Sequence, residues 1–173
     1  MKNTLKYQDE TDRAIGLSGM AIAMYAYDGE HYVTALSLDN DLGEGVELAP
    51  EFYIINSPRI SAKIVWHSQL KLYELTSAML LANAMSRAYI GQSRAIDSSR
   101  AHTLKQLCYS RGRQMCELDE DEVESIYAKT YNFLDQLFTH STVATVTRSI
   151  ADNLVRNRHL SGTEISDLLN RLR

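Results

Sequence analysis

A chain of 173 residues is long enough to bury a core without disulfides or a structural metal, and we expect a single domain over residues 1–173. The formal net charge of −4 excludes the global basic field that drives nonspecific nucleic-acid binding. The longest apolar stretch is too short to span a bilayer and the first residues lack the apolar core of a signal peptide, so the expected location is cytoplasmic.

The first third of the chain predicts one helix and then a small β insertion. Residues 8–27 carry apolar side chains at helical spacing and end at an Asp-Gly pair, which predicts a helix. Strand-forming residues follow, and they predict a small sheet or hairpin within residues 31–56. The candidate strands are 32–38, 46–48 and 52–55.

The remainder, residues 57–173, has the pattern of helices. Ser57-Pro58 is a typical helix start, with Ser as the N-cap and Pro in the first turn. The helical pattern continues to Ile90, with Gly91 as the C-cap. We expect a break near residues 66–68 because the span is long for a helix of a globular protein.

Local capping signals place the later helices. Asp97 or Ser98 caps a helix that ends near Gly112, and the acidic run from Asp119 favours the next helix start. Another helix is predicted over residues 141–156, and the last begins at a capping box of Ser161 and Glu164. The predicted fold is therefore mainly α with a small β insertion (α+β).

Cysteines and histidines do not form a recognisable metal motif. Cys108 and Cys116 are the only cysteines, and their spacing fits neither a disulfide framework nor a zinc site, so we expect two buried thiols. No histidine lies three or four residues from another. We therefore predict no metal and no cofactor, with His102 and Asp97 as the alternative metal pair assembled through the fold.

Residues 14–24, Ala-Ile-Gly-Leu-Ser-Gly-Met-Ala-Ile-Ala-Met, have the backbone pattern of a zinc-peptidase catalytic helix. An H-E-x-x-H helix places two histidines on one face as zinc ligands, with the glutamate beside them as general base. Here Gly16 and Met20 stand at the histidine positions and Leu17 stands at the glutamate position.

Two further segments extend the same resemblance. Residues 77–88 are similar to a small-residue helix L-L-G-G-R-A-A-E, and Arg100 then occupies the position of an aspartate that is the third zinc ligand. Residues 122–165 have the length and pattern of the closing helices. Over about residues 10–170 the chain thus resembles the peptidase domain of the FtsH-type membrane AAA+ proteases, without the ATPase module or the membrane anchor.

The resemblance implies a scaffold that has lost its chemistry, that is, a pseudoenzyme. Gly16, Leu17, Met20 and Arg100 are then vestigial active-site positions, with no zinc ligand and no general base. A fixed positive charge at Arg100 would also repel a metal ion. If this holds, returning His, Glu, His and Asp to the four positions should give at least weak zinc binding.

The leading hypothesis is a non-catalytic, FtsH-peptidase-like module for protein interaction or regulation, with an unidentified protein partner and no membrane partner. An enzyme with an unrecognised site, peptidase-like or another hydrolase, is one alternative. The other is a helical accessory protein that contacts DNA through its basic C-terminal end, against which the net charge argues. We expect a monomer or a small homo-oligomer. The basic residues at that end are Arg156, Arg158, His159, Arg171 and Arg173.

Overall fold

The computed structural model describes residues 6–41, 44–53 and 62–172. Within them the chain forms six α-helices and three short strands, which confirms the mainly α fold with a small β insertion. The helices are α1 (Glu10–Ala26), α2 (Ala62–Ser86), α3 (Ser98–Cys116), α4 (Glu120–Thr139), α5 (Ser141–Asn157) and α6 (Gly162–Leu169). The strands are β1 (Val33–Ser37), β2 (Val46–Leu48) and β3 (His159–Ser161).

Helices α1 and α2 pack on each other at the centre of the molecule. Between Ala14 and Met24 every residue of α1 is buried except Met20, which is half-buried, as expected for a helix that is apolar on all sides. Gly19 lets the two backbones approach, since a Cβ there would lie 2.8 Å from the carbonyl oxygen of Ala82. Ser86 Oγ donates to the carbonyl of Ile15 at 3.1 Å and joins the helices at the same level.

The remaining helices surround this pair. Helix α5 packs on α1, and α3 and α4 pack on α2. Their apolar stripes, spaced three and four residues apart, complete one core. Its members from α3, α4 and α5 include Leu104, Cys108, Leu134, Phe138, Ile150 and Leu154. No helix of the described part of the chain is both long and apolar enough to cross a membrane.

The sheet is antiparallel, with strand order β2-β1-β3. Leu36 of β1 pairs with Val46 of β2 on one side and with Leu160 of β3 on the other. Strand β3 was not predicted, because its residues directly follow α5 and lead into the capping box that marks the start of the last helix. The strand predicted at 52–55 is wrong at its start, where Pro50–Phe52 forms a 3-10 helix, and residues 54–55 lie outside the described residues.

Helix α2 differs from its prediction at several points. It is continuous through residues 66–68, where a break was expected, and it ends in a π-helical turn, Arg87–Gly91, capped by Gln92 rather than by Gly91. The predicted start at Ser57-Pro58 lies outside the described residues.

The caps of the later helices agree with the sequence better than their ends do. Asp97 caps α3, and the capping boxes of α4 and α6 are both formed. Helix α3, however, continues past Gly112 to Cys116, where Glu117 takes the left-handed conformation with φ 54°. Gly112 does not end the helix because it is a packing position: a Cβ there would lie 2.7 Å from Val123.

Candidate functional site

A buried ion pair joins the first turns of α1 to the end of α2. Arg87, 2% exposed, donates through Nε to Oδ1 of Asp12 at 2.9 Å and through Nη2 to Oδ2 at 2.6 Å. Two parallel bonds of this kind match the fork of the guanidinium to both oxygens of one carboxylate. Asp12 stands near the N-terminus of α1, where the helix dipole also favours a negative charge.

Residues 6–9 form an N-terminal strap over this ion pair. Arg87 Nη2 also donates to the carbonyl of Lys6 at 2.8 Å, and the Tyr7 ring lies 4.6 Å from the guanidinium carbon. Asn83 Nδ2 donates to the Tyr7 hydroxyl at 3.0 Å. The amide of Gln8 donates to Asp12 Oδ2 at 2.9 Å. The strap therefore completes the hydrogen bonding of a charge pair that would be costly to bury alone.

The surroundings determine the protonation states of Asp12 and Tyr7. Burial raises the pKa of Asp12. Hydrogen bonds from Arg87 and Gln8 and the charges of Arg87 and Arg100 lower it by more, so the net pKa is below its ordinary value. Burial raises the pKa of Tyr7 above its ordinary value. Asp12 is thus a carboxylate and Tyr7 a neutral phenol near neutral pH.

Gly16 and Met20 of the vestigial set share one face of α1, against Asn83 of α2. A Cβ on Gly16 would lie 2.7 Å from Asn83 Nδ2 and 3.0 Å from Arg87 Cδ. The Met20 sulfur accepts from Asn83 Nδ2 at 3.4 Å. Leu17 is buried in the core, where its methyl groups meet Gly45 of the insertion. These three positions serve packing.

Arg100 is half-buried in the first turn of α3, where its backbone amide donates to the Asp97 cap at 2.8 Å. Its charge acts on Asp12, one helical turn before Gly16. The fold therefore brings Arg100 toward the same end of α1 as the other vestigial positions.

The hydrogen bonds around Asp12 and Arg87 are those of a cluster that stabilises the fold. Both oxygens of Asp12 accept hydrogen bonds from Arg87, so the carboxylate is not free to take a proton from a substrate. A histidine at Gly16 would require the Asn83 side chain to move, since a Cβ there would lie 2.7 Å from Asn83 Nδ2; the expectation that restored ligands would bind zinc stays a prediction. Among the described residues, no group of three His, Cys, Asp or Glu side chains is placed to hold a metal ion.

The other candidates from the sequence are accounted for separately. His102 is exposed, and the pKa of Asp97 is lowered by its capping bond from the Arg100 amide. Cys108 and Cys116 are buried and unbridged, as predicted. At the basic C-terminal end, Arg158 is bound at 2.6 Å to both Glu10 and Asp39. Arg173 lies outside the described residues.

A groove beside the first half of α2 is a second candidate site, and the sequence reasoning missed it. We call it the α2 groove; it has a volume of about 360 Å³. Ile64, which lines the groove, is 54% exposed, and Tyr53 and Trp66, which adjoin the lining residues Phe52 and His67 in the chain, are 67% and 41% exposed. Isolated exposed apolar residues are ordinary, but several around one concavity are typical of a binding surface. The residues that line the groove include Tyr32, Phe52, Ile64, His67, Lys71 and Leu75.

Comparisons of the chain with protein-family models, with curated proteins and with solved structures found no match. The resemblance to FtsH-type peptidase domains consequently rests on the residues quoted for it and stays a prediction.

Proposed function

We propose that this chain is a non-catalytic domain that binds another protein, on a scaffold similar to the FtsH-type peptidase domain. The observation that carries the proposal is the α2 groove, which has the exposed side chain of Ile64 in its lining and the exposed residues Tyr53 and Trp66 next to lining residues in the chain. Aromatic and aliphatic side chains at the edge of a concave surface are the anchors from which protein interfaces gain most of their affinity.

The environment of the vestigial positions supports the non-catalytic part of the proposal. Gly16 gives space to Asn83 and Arg87, and Leu17 fills the core under the insertion. Asp12 is held in its ion pair. Gly16, Leu17 and the neighbouring Asp12 thus have packing or charge-pairing roles that account for their residue types without a catalytic role.

Photo-crosslinking in cells tests the binding part. A photoreactive residue at Trp66 should crosslink this chain to a second protein, whose identity mass spectrometry establishes and whose binding is then repeated with purified components. The same residue at Arg148, exposed on α5, is the matched control. Crosslinks of equal yield from both positions, or none from position 66, would contradict the proposal.

Elemental analysis of the purified protein tests the non-catalytic part. We expect zinc well below one equivalent and no hydrolysis of unstructured protein substrates. Stoichiometric zinc that is lost on substituting His102→Ala or Asp97→Ala would instead favour the enzyme alternative.

A further inference from the structure

We infer that the N-terminal strap is a releasable occupant of a recognition site for tyrosine, and that a short tyrosine-containing segment of a partner protein can take its place. The site consists of Asp12, Asn83 and Arg87. None of these residues lines the α2 groove, so the inference goes beyond the proposed function and does not depend on it.

The ion pair binds the two peptide groups on either side of Tyr7. Arg87 Nη2 donates to the carbonyl of Lys6 at 2.8 Å. Asp12 Oδ2 accepts from the amide of Gln8 at 2.9 Å. Carbonyls and amides within a helix or a sheet are already paired with other backbone groups. The two bonds therefore select a segment of irregular backbone, which is the conformation of the strap.

The side chain between these peptide groups is recognised by its ring and by its hydroxyl. The centroid of the Tyr7 ring lies 4.6 Å from the guanidinium carbon of Arg87, a cation–π contact. Asn83 Nδ2 donates to the Tyr7 hydroxyl at 3.0 Å. A phenylalanine could keep the first contact but would lose the second. The site thus favours tyrosine over the other aromatic side chain of the same size.

The site is more firmly held than its occupant. Asp12, Asn83 and Arg87 are 7%, 0% and 2% exposed, and they lie on α1 and α2, which pack on each other at the centre of the molecule. Lys6 and Gln8 of the strap are exposed. Exposed segments held mainly by hydrogen bonds open locally while the core stays folded. The strap can therefore leave a site that remains formed.

The strap does not satisfy the site completely. Within the described residues nothing donates a hydrogen bond to Asn83 Oδ1, although this oxygen is buried. A buried acceptor without a partner is costly, and such groups are few in folded proteins. A segment that brings one further donor to this oxygen would gain a bond that the strap lacks.

A segment of another protein reaches the site more easily than the strap of a second copy. The four residues of the strap directly precede α1. Four residues span at most about 14 Å. The strap of a second copy would reach the site only if the starts of the two α1 helices lay almost side by side. A loop or a terminus of another protein has no such restraint.

Peptide binding to the full-length variant Tyr7→Ala tests the inference, because this variant lacks the ring and hydroxyl of the strap. The probe is a fluorescein-labelled peptide Leu-Lys-Tyr-Gln-Asp, a copy of residues 5–9, followed by anisotropy. Matched peptides carry Phe or Ala in place of Tyr. We expect the Tyr peptide to bind about fivefold more tightly than the Phe peptide, and the Ala peptide not to bind. Wild-type protein should bind the Tyr peptide at least about tenfold more weakly, because its own strap competes.

A second substitution assigns the preference for tyrosine to Asn83. Added to Tyr7→Ala, Asn83→Ala should leave the affinity for the Phe peptide nearly unchanged and remove the preference for the Tyr peptide. Asn132→Ala, at an exposed asparagine of α4, is the matched control and should keep the preference. Circular dichroism at the temperature of the assay checks that the variants are folded.

Hydrogen exchange in the wild type tests the release of the strap without any substitution. The peptide binds only the state with the strap open, so it raises the population of that state. In ¹⁵N-labelled protein the Gln8 amide should therefore exchange faster as unlabelled Tyr peptide is added. The amide of Met24, buried within α1, should exchange at a constant rate.

Four results would overturn the inference. They are no binding of the Tyr peptide to Tyr7→Ala, equal binding of the Tyr and Phe peptides, a Gln8 exchange rate that does not respond to the peptide, and a concentration-dependent dimer in sedimentation that Tyr7→Ala dissociates. The last result would assign the site to the strap of a second copy. The crosslink from position 66 reports on the α2 groove, so the proposed function stands or fails separately.

Discussion

Removing either partner of the Asp12–Arg87 ion pair should destabilise the protein far more than removing both. The two side chains are 8% and 2% exposed, so each single substitution leaves an unpaired charge in the interior. Such a charge costs about 3–5 kcal/mol. We expect this cost for Asp12→Ala and Arg87→Met, and a double variant within about 1–2 kcal/mol of the wild type, because replacing a buried pair by apolar groups is often nearly neutral.

The assay is urea unfolding at neutral pH, followed by circular dichroism, for the four members of the cycle. A domain with a total stability of about 5–15 kcal/mol leaves these differences measurable. The expected coupling, which is the two single costs together less the cost of the double variant, is at least about 4 kcal/mol. Additive single effects would refute the reasoning, since they would mean that neither charge depends on the other.

The pH dependence gives the cycle an independent check. In the wild type the pKa of Asp12 is below its ordinary value of 3.8, so the unfolded state binds more protons between the two values. Stability therefore rises with pH through that window and is lost as the pH falls through the folded pKa. In Arg87→Met, burial, the largest influence on the pKa of Asp12, is opposed only by the Gln8 amide and the charge of Arg100, so the pKa should rise above that of the wild type and the gain in stability with rising pH should shrink or reverse.

Three further substitutions or measurements test the packing and the caps. Gly19→Ala should cost about 1–3 kcal/mol because it forces α1 and α2 apart. Gly91→Ala should change stability by less than about 1 kcal/mol, since the new Cβ would meet only Ile15 Cδ1, at an ordinary contact distance of 3.4 Å, and equal effects of the two variants in thermal unfolding would contradict the close approach at Gly19. Burial raises the pKa of Cys108 to about 11, so its thiol should react with an aromatic disulfide reagent only after denaturation, and rapid reaction of the native protein would show that the site is open. Ser161→Ala should cost about 1 kcal/mol through loss of the capping box with Glu164, and an unchanged urea midpoint would show that α6 does not depend on its cap.

Local signals in the sequence were sufficient for most of the helical framework. A capping box lies within four consecutive residues, so the box at Ser161 was predicted from the sequence. At Asp119 the acidic run indicated where α4 starts, but its capping box with Glu122 was not predicted. The same locality explains the errors. Gly112 looks like a helix end, but its contact with Val123 of the next helix decides its role, and that contact is absent from the local pattern.

The site depends on contacts that no local pattern contains. Asp12 and Arg87 are 75 residues apart, and the strap bond from Arg87 to Lys6 spans 81 residues. In the sequence, Arg87 follows a run of small residues and gives no sign that it will be buried. The α2 groove was missed for a similar reason, since the exposure of Ile64 and Trp66 depends on where α2 leaves the core.

The buried ion pair of Asp12 and Arg87 explains how the start of α1 and the end of α2 can be held together without a metal ion. If the predicted resemblance to FtsH-type peptidase domains holds, a zinc site would have held two residues of the first helix and a third residue from beyond the long helix. Here Arg87 holds Asp12 through two bonds, and the strap closes over both with Tyr7. The guanidinium of Arg87 thus connects the start of α1 to the end of α2. Because the strap and Asn83 supply hydrogen bonds from the chain itself, the contact requires no cation to be stable.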